Sequence, residues 1–511
     1  MKLRTLGLLA MGCVMASSAG ALAIPLPDRG PAIKASPAGD LGSKLQTRHH
    51  FTAGQTLMVD ARLGHAALAL QGSGAASGET YLFAQISGAE DKSLSSPPVN
   101  LGIVIDRSGS MKGERIAKAM DAAVFAVERM REGDTVTVVS FDTRADVIVP
   151  PTTITADARR GIEARIRSIR LGGDTCISCG LEEAMHQIMA APTGADRVSR
   201  MILLSDGATN SGIRDIPGLR ALAGRMRDRG CPITTIGVDV DFDEKIMAAI
   251  ANEANGRHYF VQSASGLPSI FSQEFDSLLA SVARDGELAI QLAPGVEVVQ
   301  VFDRSFRREG DRLIVPFGTF AKGQEKTVLV KLRVPVGTPG DRPVADLKLA
   351  YRDLVQRSDG SCSGALALDV RGDGTAQAEL DPFVAARLER SRTSQTLTEV
   401  NRLFETGRMA EAKAQLAGRR VELQKAEAFA LASKPAAPAP RSSRNLDRDF
   451  ADQLGAVAQA EAFAPPPAGP GGGGGAGIAA PSQPGASPPA PAPATKGAVR
   501  ANQQNASDLA F

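Results

Sequence analysis

Residues 99–111 read VNLGIVIDRSGSM, a β-branched run that ends on Asp106 and opens into a turn of Arg107, Ser108, Gly109 and Ser110. A helix-period segment follows from Arg115 to Arg131, where Ile116, Met120, Val124, Val127 and Met130 recur at spacings of three and four as one apolar stripe. The unit repeats. Short apolar runs at TVTVVSF (135–141), RMILLSD (200–206), ITTIGVDV (233–240) and RHYFV (257–261) alternate with helical stretches at 157–170, 180–189, 216–229, 243–254 and 265–283. Such alternation predicts a doubly wound, mostly parallel α/β sheet covered on both faces by helices. In open sheets of this kind ligands bind beyond the carboxyl ends of the strands, so the chemistry is sought there.

Those ends gather small oxygen donors. The first strand exit supplies Asp106, Ser108 and Ser110, the GGDTC loop supplies Thr175, and LLSDG supplies Asp206. Residues two apart in an extended exit present side chains to one side, with Gly109 expected to let the backbone turn between them. Two carboxylates and three hydroxyls form a hard-oxygen set suited to Mg²⁺ or Mn²⁺ rather than Zn²⁺ or Cu²⁺. Taken singly, each residue reads equally well as a turn or helix-cap residue; the five together point to a metal.

The set resembles the metal-ion-dependent adhesion site (MIDAS) of von Willebrand factor type A (VWA) domains, over about residues 97–282, with DRSGS, GGDT and SDG in that order. The resemblance implies direct ligation by Ser108, Ser110 and Thr175, with Asp106 and Asp206 acting largely through water. It also implies a protein partner whose Asp or Glu completes the coordination sphere. Arg107, at the variable position, reads as a solvated charge. Asp239, Asp241 and Asp243 lack the Gly and distal Glu of a calcium loop and read as a solvated turn near a helix start. Cys176 and Cys179 follow Thr175 directly; a local disulfide or two free thiols are both open, as is thiol chemistry at a helix N-terminus. Cys231 is left with Cys362 as a partner, a bond that requires the following domain to dock on the lower sheet edge.

Alternating runs at 47–96 and 283–373 read as strands of one β-sandwich into which residues 97–282 are inserted, two separate β units being the alternative. Residues 374–433 read as a helical segment, a hairpin in which LFETGRMAEAKAQL resembles one tetratricopeptide unit. Residues 434–511 read as a Pro/Ala/Gly-rich disordered tail: positions 435–493 hold 13 of the 31 prolines and a glycine run at 471–475. The stretch from Arg441 to Ala464 has helical character and reads as a transient helix or a docking segment. At the other end, Lys2 and Arg4 precede a short apolar core and a small-x-small site, the pattern of a signal peptide (1–23) cleaved after Ala23, followed by a linker (24–46). A membrane helix or a lipoprotein modified at Cys13 are the alternatives. No later segment is apolar enough to span a bilayer. The mature protein is accordingly expected to be exported, periplasmic or at the cell surface.

Composition removes other classes. The 511 residues carry 58 Lys+Arg against 56 Asp+Glu and only 4% aromatics with no Trp, which supplies neither the basic stripe nor the stacking platform of a nucleic-acid binder. His49, His50, His65, His186 and His258 fit no catalytic spacing. The expected function is therefore binding: metal-dependent capture of an acidic residue in adhesion or envelope assembly. A metal-assisted hydrolase, a CxxC oxidoreductase and a scaffold with a vestigial metal site are the alternatives.

Overall fold

The computed structural model describes residues 49–71, 76–90, 97–191, 194, 196–206, 209–238, 244–261, 263–372, 380–432, 441–463 and 493–510. The expected signal peptide with Ala23, Cys13, the linker, the run Asp239, Asp241, Asp243 and the glycine run at 471–475 lie outside these residues.

The chain opens with β1 (His50–Gly54), β2 (Leu57–Leu63), β3 (Ala67–Ala69) and β4 (Ser77–Gly88). It then enters the α/β unit through β5 (Val99–Asp106), α1 (Glu114–Arg129), β6 (Thr135–Phe141), β7 (Ala145–Thr153), α2 (Ala156–Arg167), α3 (Ile177–Ala190), β8 (Val198–Ser205), α4 (Ile216–Arg227), β9 (Ile233–Val238), α5 (Glu244–Glu253), β10 (His258–Val261) and α6 (Leu267–Leu279). The sheet order is β10-β9-β8-β5-β6-β7, parallel except at β6–β7. All of β5 is buried, as a strand covered on both faces must be. Its side chains alternate between two cores: Ile103 and Ile105 pack with Val124, Val127, Phe271 and Phe275 beneath α1 and α6, while Val104 packs with Phe141, Leu181, Leu219 and Ile250 beneath α3, α4 and α5. The antiparallel edge strand β7 was not expected. Pro150 and Pro151 obscure it in the sequence, yet they are tolerated there because one side of an edge strand needs no donors.

The second run of strands comprises β11 (Ser281–Leu292), β12 (Glu297–Phe302), β13 (Arg307–Glu309), β14 (Arg312–Ala321), β15 (Glu325–Pro335), β16 (Gly340–Asp353) and β17 (Ser358–Arg371). These strands interleave with the first four: one sheet runs β1-β2-β4-β15-β12 and the other β13-β14-β11-β16-β17-β3. A single apolar cluster joins them, from Leu57, Leu82 and Ile86 to Leu288, Phe317, Val330, Leu349 and Leu368. The α/β unit is thus inserted into a sandwich between β4 and β11. Its entry and exit meet: a Cβ placed on Gly88 would lie 2.4 Å from the Ala321 carbonyl oxygen and 3.2 Å from Val282 Cγ2.

The expected helical hairpin is α7 (Pro382–Glu405) and α8 (Met409–Ala432). Asp381 caps α7 by accepting from the Phe383 and Val384 amides at 2.9 and 3.2 Å, and Val384 and Leu388 pack on Phe83, Phe302 and Leu329 of the sandwich. Two stretches of the segment read as a disordered tail are helices, α9 (Arg441–Phe463) and α10 (Pro493–Ala510). Leu446, Phe450 and Val457 of α9, with Val499 and Leu509 of α10, complete the core of the hairpin, which explains why an apolar stripe survives in so proline-rich a region. On α10, Arg500 pairs with the buried Glu244 of α5, and Gln504 accepts from the Phe260 amide of edge strand β10 at 3.0 Å. The proposed Cys231–Cys362 bond is absent. Both thiols are free: Cys231 belongs to the core beneath α4 and α5, and Cys362 lies on β17 against the sandwich core.

His258 on β10 donates from Nδ1 to Thr235 Oγ1 at 2.9 Å, since the Thr235 proton is committed to the Met247 carbonyl. Burial, with the Arg500 charge beside it, pushes this imidazole down from 6.5 to about 4. The unfolded chain therefore holds the proton more tightly. The stabilisation is complete above pH 6.5 and is lost as the pH falls through 4, by about 3 kcal/mol. Urea denaturation followed from pH 7 to 4 is expected to show a loss of that size in the wild type in excess of that in His258→Gln; parallel curves would place the acid sensitivity elsewhere.

Candidate metal site

β5 lies between β8 and β6, where the strand order reverses, so a crevice opens at its carboxyl end. Asp106 is its last residue and is fully buried. Its Oδ1 accepts from the Ser108 amide at 2.8 Å and its Oδ2 from the Ser205 hydroxyl at 2.5 Å. Ser110 Oγ lies 3.0 Å from Ser108 Oγ and donates to Asp206 Oδ1 at 2.7 Å. One chain of contacts thus joins Asp106, Ser108, Ser110 and Asp206 across two neighbouring strands.

Thr175 comes from the loop before α3. Gly172 donates to the Arg107 carbonyl at 2.7 Å, and Gly109 donates to the Gly173 carbonyl at 3.1 Å, so this loop is bonded directly to the DRSGS turn. The Thr175 amide donates to Asn210 Oδ1 at 2.8 Å, and its carbonyl accepts from the Asn210 and Ser211 amides and from Thr209 Oγ1. The sequence named neither Thr209 nor Asn210, nor Ser205. Each lies close to Asp206 in sequence, in or just after the SDG segment, and that proximity is the only signal they leave. Cys176 and Cys179 are disulfide-bonded and clamp the first turn of α3, which Cys176 caps.

Two readings of this region change. Arg107 is not a solvated charge: its Nη2 lies 2.5 Å from Asp146 and 3.1 Å from Asp142, with the side chain largely covered. The Asp142 carboxylate is held below its usual range; burial alone would raise it, but the Arg144 amide, the Arg107 guanidinium and the Gly173 amide outweigh that. Gly109 is not required by its own conformation either, for a Cβ there would meet nothing within 4 Å. The tight approach is at Gly172, where a Cβ would fall 1.7 Å from Asp142 Oδ2 and 2.7 Å from its Cβ.

Burial pushes the Asp106 carboxyl up to about 6, against the donors from Ser205 and Ser108 and with the nearby Asp206 charge adding to the rise. Burial also raises Asp206, opposed by Ser110 and by Arg115. Among the described residues no three His, Cys, Asp or Glu side chains gather as a cage. A cation here would therefore depend on hydroxyl oxygens beside the two acids, a donor set that fits a small hard divalent ion.

Residues 100–273 match the model of the von Willebrand factor type A domain. Among solved structures, the chain is similar to a von Willebrand factor type A protein from Catenulispora acidiphila, with 16% identity, a TM-score of 0.62 and 81% and 92% of the two chains covered. It is likewise similar to the ArnB paralog VWA2 from Sulfolobus acidocaldarius, with 18% identity, a TM-score of 0.53 and 79% and 98% covered. At such identity these likenesses speak to the fold. Among curated sequences, an uncharacterized protein of Synechocystis is 25% identical over 54% of this chain and 66% of its own length. The uncharacterized protein YfbK of Escherichia coli is 29% identical over 42% and 37%. The inter-alpha-trypsin inhibitor heavy chain H2 of Mus musculus is 28% identical over 37% and 21%. The chain spans less than two thirds of the length of each of these three relatives.

The two glycines give a direct check on the loop geometry. Gly172→Ala is expected to cost about 1–3 kcal/mol by driving the Thr175 loop off Asp142, and Gly109→Ala to stay within about 0.5 kcal/mol of wild type. Denaturant midpoints measure both, and equal effects would contradict the arrangement.

Proposed function

We propose that this chain, which carries a von Willebrand factor type A domain, is an exported binding protein that holds Mg²⁺ or Mn²⁺ at the end of β5 and captures an acidic side chain of a protein partner. The observation that carries the reading is the juxtaposition of Asp106, Ser108, Ser110 and Asp206 within one hydrogen-bonded chain, with the Thr175 loop bonded to it. Four of the five expected oxygen-bearing side chains are joined by contacts at the end of β5, and the loop that carries Thr175 is hydrogen-bonded to their turn. Ser108, Ser110 and Thr175 would hold the ion, and Asp106 and Asp206 would offset its charge. The ion would supply a positive centre that a partner carboxylate can bind.

The protein's own part is positioning. Ser205 and the Ser108 amide orient Asp106, Ser110 and Arg115 orient Asp206, and the bonds from Thr209, Asn210 and Ser211 set Thr175. Binding rather than catalysis suits this arrangement, because both carboxylates are occupied by hydrogen-bond donors of the chain itself, which leaves neither placed as a general base. Cys176 is fully buried, so an incoming thiolate could reach the disulfide only through the partly buried Cys179. Export rests on the amino-terminal pattern of the sequence; among the described residues no helix is long and apolar enough to cross a membrane. Adhesion and envelope assembly are the roles that suit such a module.

Mn²⁺ is expected to raise the melting temperature of the wild type but not of the Asp106→Ala, Ser108→Ala double variant. A partner retained from extracytoplasmic extract in Mg²⁺ is expected to be released by EDTA and lost with Asp106→Ala. An equal Mn²⁺ shift in the double variant would remove the metal site, and retention indifferent to EDTA would move binding to another surface.

A further inference from the structure

The disulfide between Cys176 and Cys179 begins one residue beyond Thr175, and a site built of hard oxygen donors makes no use of it. Two segments enclose it. On one side is the turn between β6 and β7: the Cys176 amide donates to the Asp142 carbonyl at 2.8 Å, the Asp174 amide donates to Thr143 Oγ1 at 3.2 Å, and Cys179 Sγ lies 3.9 Å from the Thr143 carbonyl oxygen. On the other side is the segment 209–213, whose Thr209, Asn210 and Ser211 hold Thr175. The Ile213 amide donates to Ser178 Oγ at 3.0 Å, and a Cβ on Gly212 would fall 2.5 Å from Cys176 Sγ and 2.4 Å from Ser178 Oγ. One short stretch of chain is thus bonded to Thr175 before Cys176 and to Ser178 after it, and it rests on the Cys176 sulfur.

The two sulfurs differ in access and in surroundings. Cys176 is fully buried, and its Sγ accepts from the Cys179 amide at 3.3 Å as the cap of α3. Cys179 is partly exposed. An attacking thiolate therefore meets Cys179 Sγ, and Cys176 is the sulfur that departs. Its developing negative charge faces the first turn of α3, and a stabilised leaving thiolate speeds such exchange. A thiol catalyst presents its stabilised thiolate to solvent. Here the sulfur at the helix start is the inaccessible one, so the pair is a target of exchange and not a catalyst of it.

We infer that Cys179 is a thiol-exchange site through which a dithiol reductant opens the loop that carries Thr175. One thiolate of the dithiol attacks Cys179 Sγ, the bond between the two cysteines breaks, and Cys176 leaves as a thiolate that takes up a proton. The second thiolate attacks the reductant's own sulfur in the mixed disulfide, and Cys179 departs and is protonated in turn. Two electrons and two protons pass to the protein, and the dithiol becomes a disulfide. Two thiols cannot stay at bonding separation. Cys176 is fenced by Gly212, so Cys179 moves outward and the first turn of α3 loses its tie to the Thr175 loop. What this opening does to a bound ion rests on the metal reading above; the exchange site itself does not.

Hydrogen exchange on the full chain under native conditions, with dithiothreitol as the reductant, tests it. Dithiothreitol is expected to reduce the bond in the folded protein, after which iodoacetamide labels Cys179 before Cys176. The amides of Thr175, Asn210 and Ser211 should exchange at least about tenfold faster after reduction, while those of β5 and of the sandwich keep their rates. Cys179→Ser should show the same local change without reductant. Mn²⁺ should bind the reduced protein at least about threefold more weakly and recover its affinity on reoxidation. A bond that resists dithiothreitol until the protein unfolds overturns the inference, as does a fully reduced sample in which those three amides are unchanged. Uniform acceleration that includes β5 also overturns it, since the bond is then a general staple. If neither form binds Mn²⁺ the metal reading falls, and the three loosened amides still sustain the exchange site.

Discussion

The Asp106 carboxylate stands at the end of a strand that is buried on both faces, with its neighbour Asp206 equally removed from water. Holding two acids there is unfavourable unless donors or a cation surround them. The local architecture follows from this. Ser205 and the Ser108 amide take the two oxygens of Asp106, Ser110 and Arg115 take those of Asp206, and the DRSGS turn is shaped by these bonds rather than by a special conformation at Gly109. Even so, burial keeps both carboxyls above their ordinary range, which marks a residual deficit of positive charge.

The rest of the molecule braces that crevice. The Thr175 loop is held on three sides: by bonds to the DRSGS turn, by Asn210 and Thr209, and by the disulfide that closes the first turn of α3. Helix α3 can sit so close only because residue 180 is glycine, whose Cβ would lie 2.6 Å from the Phe141 ring. On the far face Glu274 of α6 receives Arg200, Thr234 and Tyr259, which ties the last helix to β8, β9 and β10. The sandwich takes both ends of the insertion at Gly88 and Val282, so the α/β unit is anchored at two neighbouring points rather than hung from a linker.

Much of this was legible in the sequence, and the exceptions share a cause. The alternation of buried runs and amphipathic helices reports the doubly wound sheet because burial on both faces forces continuous apolar strands such as VNLGIVID. The sandwich shows through the two-residue period of runs such as KTVLVKLRV. Elements whose stability comes from distant partners left weaker traces. The edge strand β7 is masked by Pro150 and Pro151, and α10 has few apolar residues and is held through Arg500 and Gln504 on the α/β unit. α9 looked transient because its partners, α7, α8 and α10, are not local. At the candidate site, only the DRSGS turn has local spacing, while Thr175 and Asp206 were set beside it by resemblance to a family. The residues that orient these side chains, Ser205, Asn210 and Arg115, were not readable, because each acts through a contact that only the folded sheet creates.

Two arginines near the same crevice show how far residue type falls short of role. Arg107 lies inside the motif and Arg115 outside it, so sequence proximity assigns importance to the first. The β6–β7 hairpin brings Asp142 and Asp146 to Arg107 and makes of it a local brace between that hairpin and the DRSGS turn. The helix that follows the turn swings Arg115 back by its first residues, so that the guanidinium meets Asp206, 91 positions further along the chain. Both contacts are made by the folded chain, and neither follows from the position of the arginine relative to the motif.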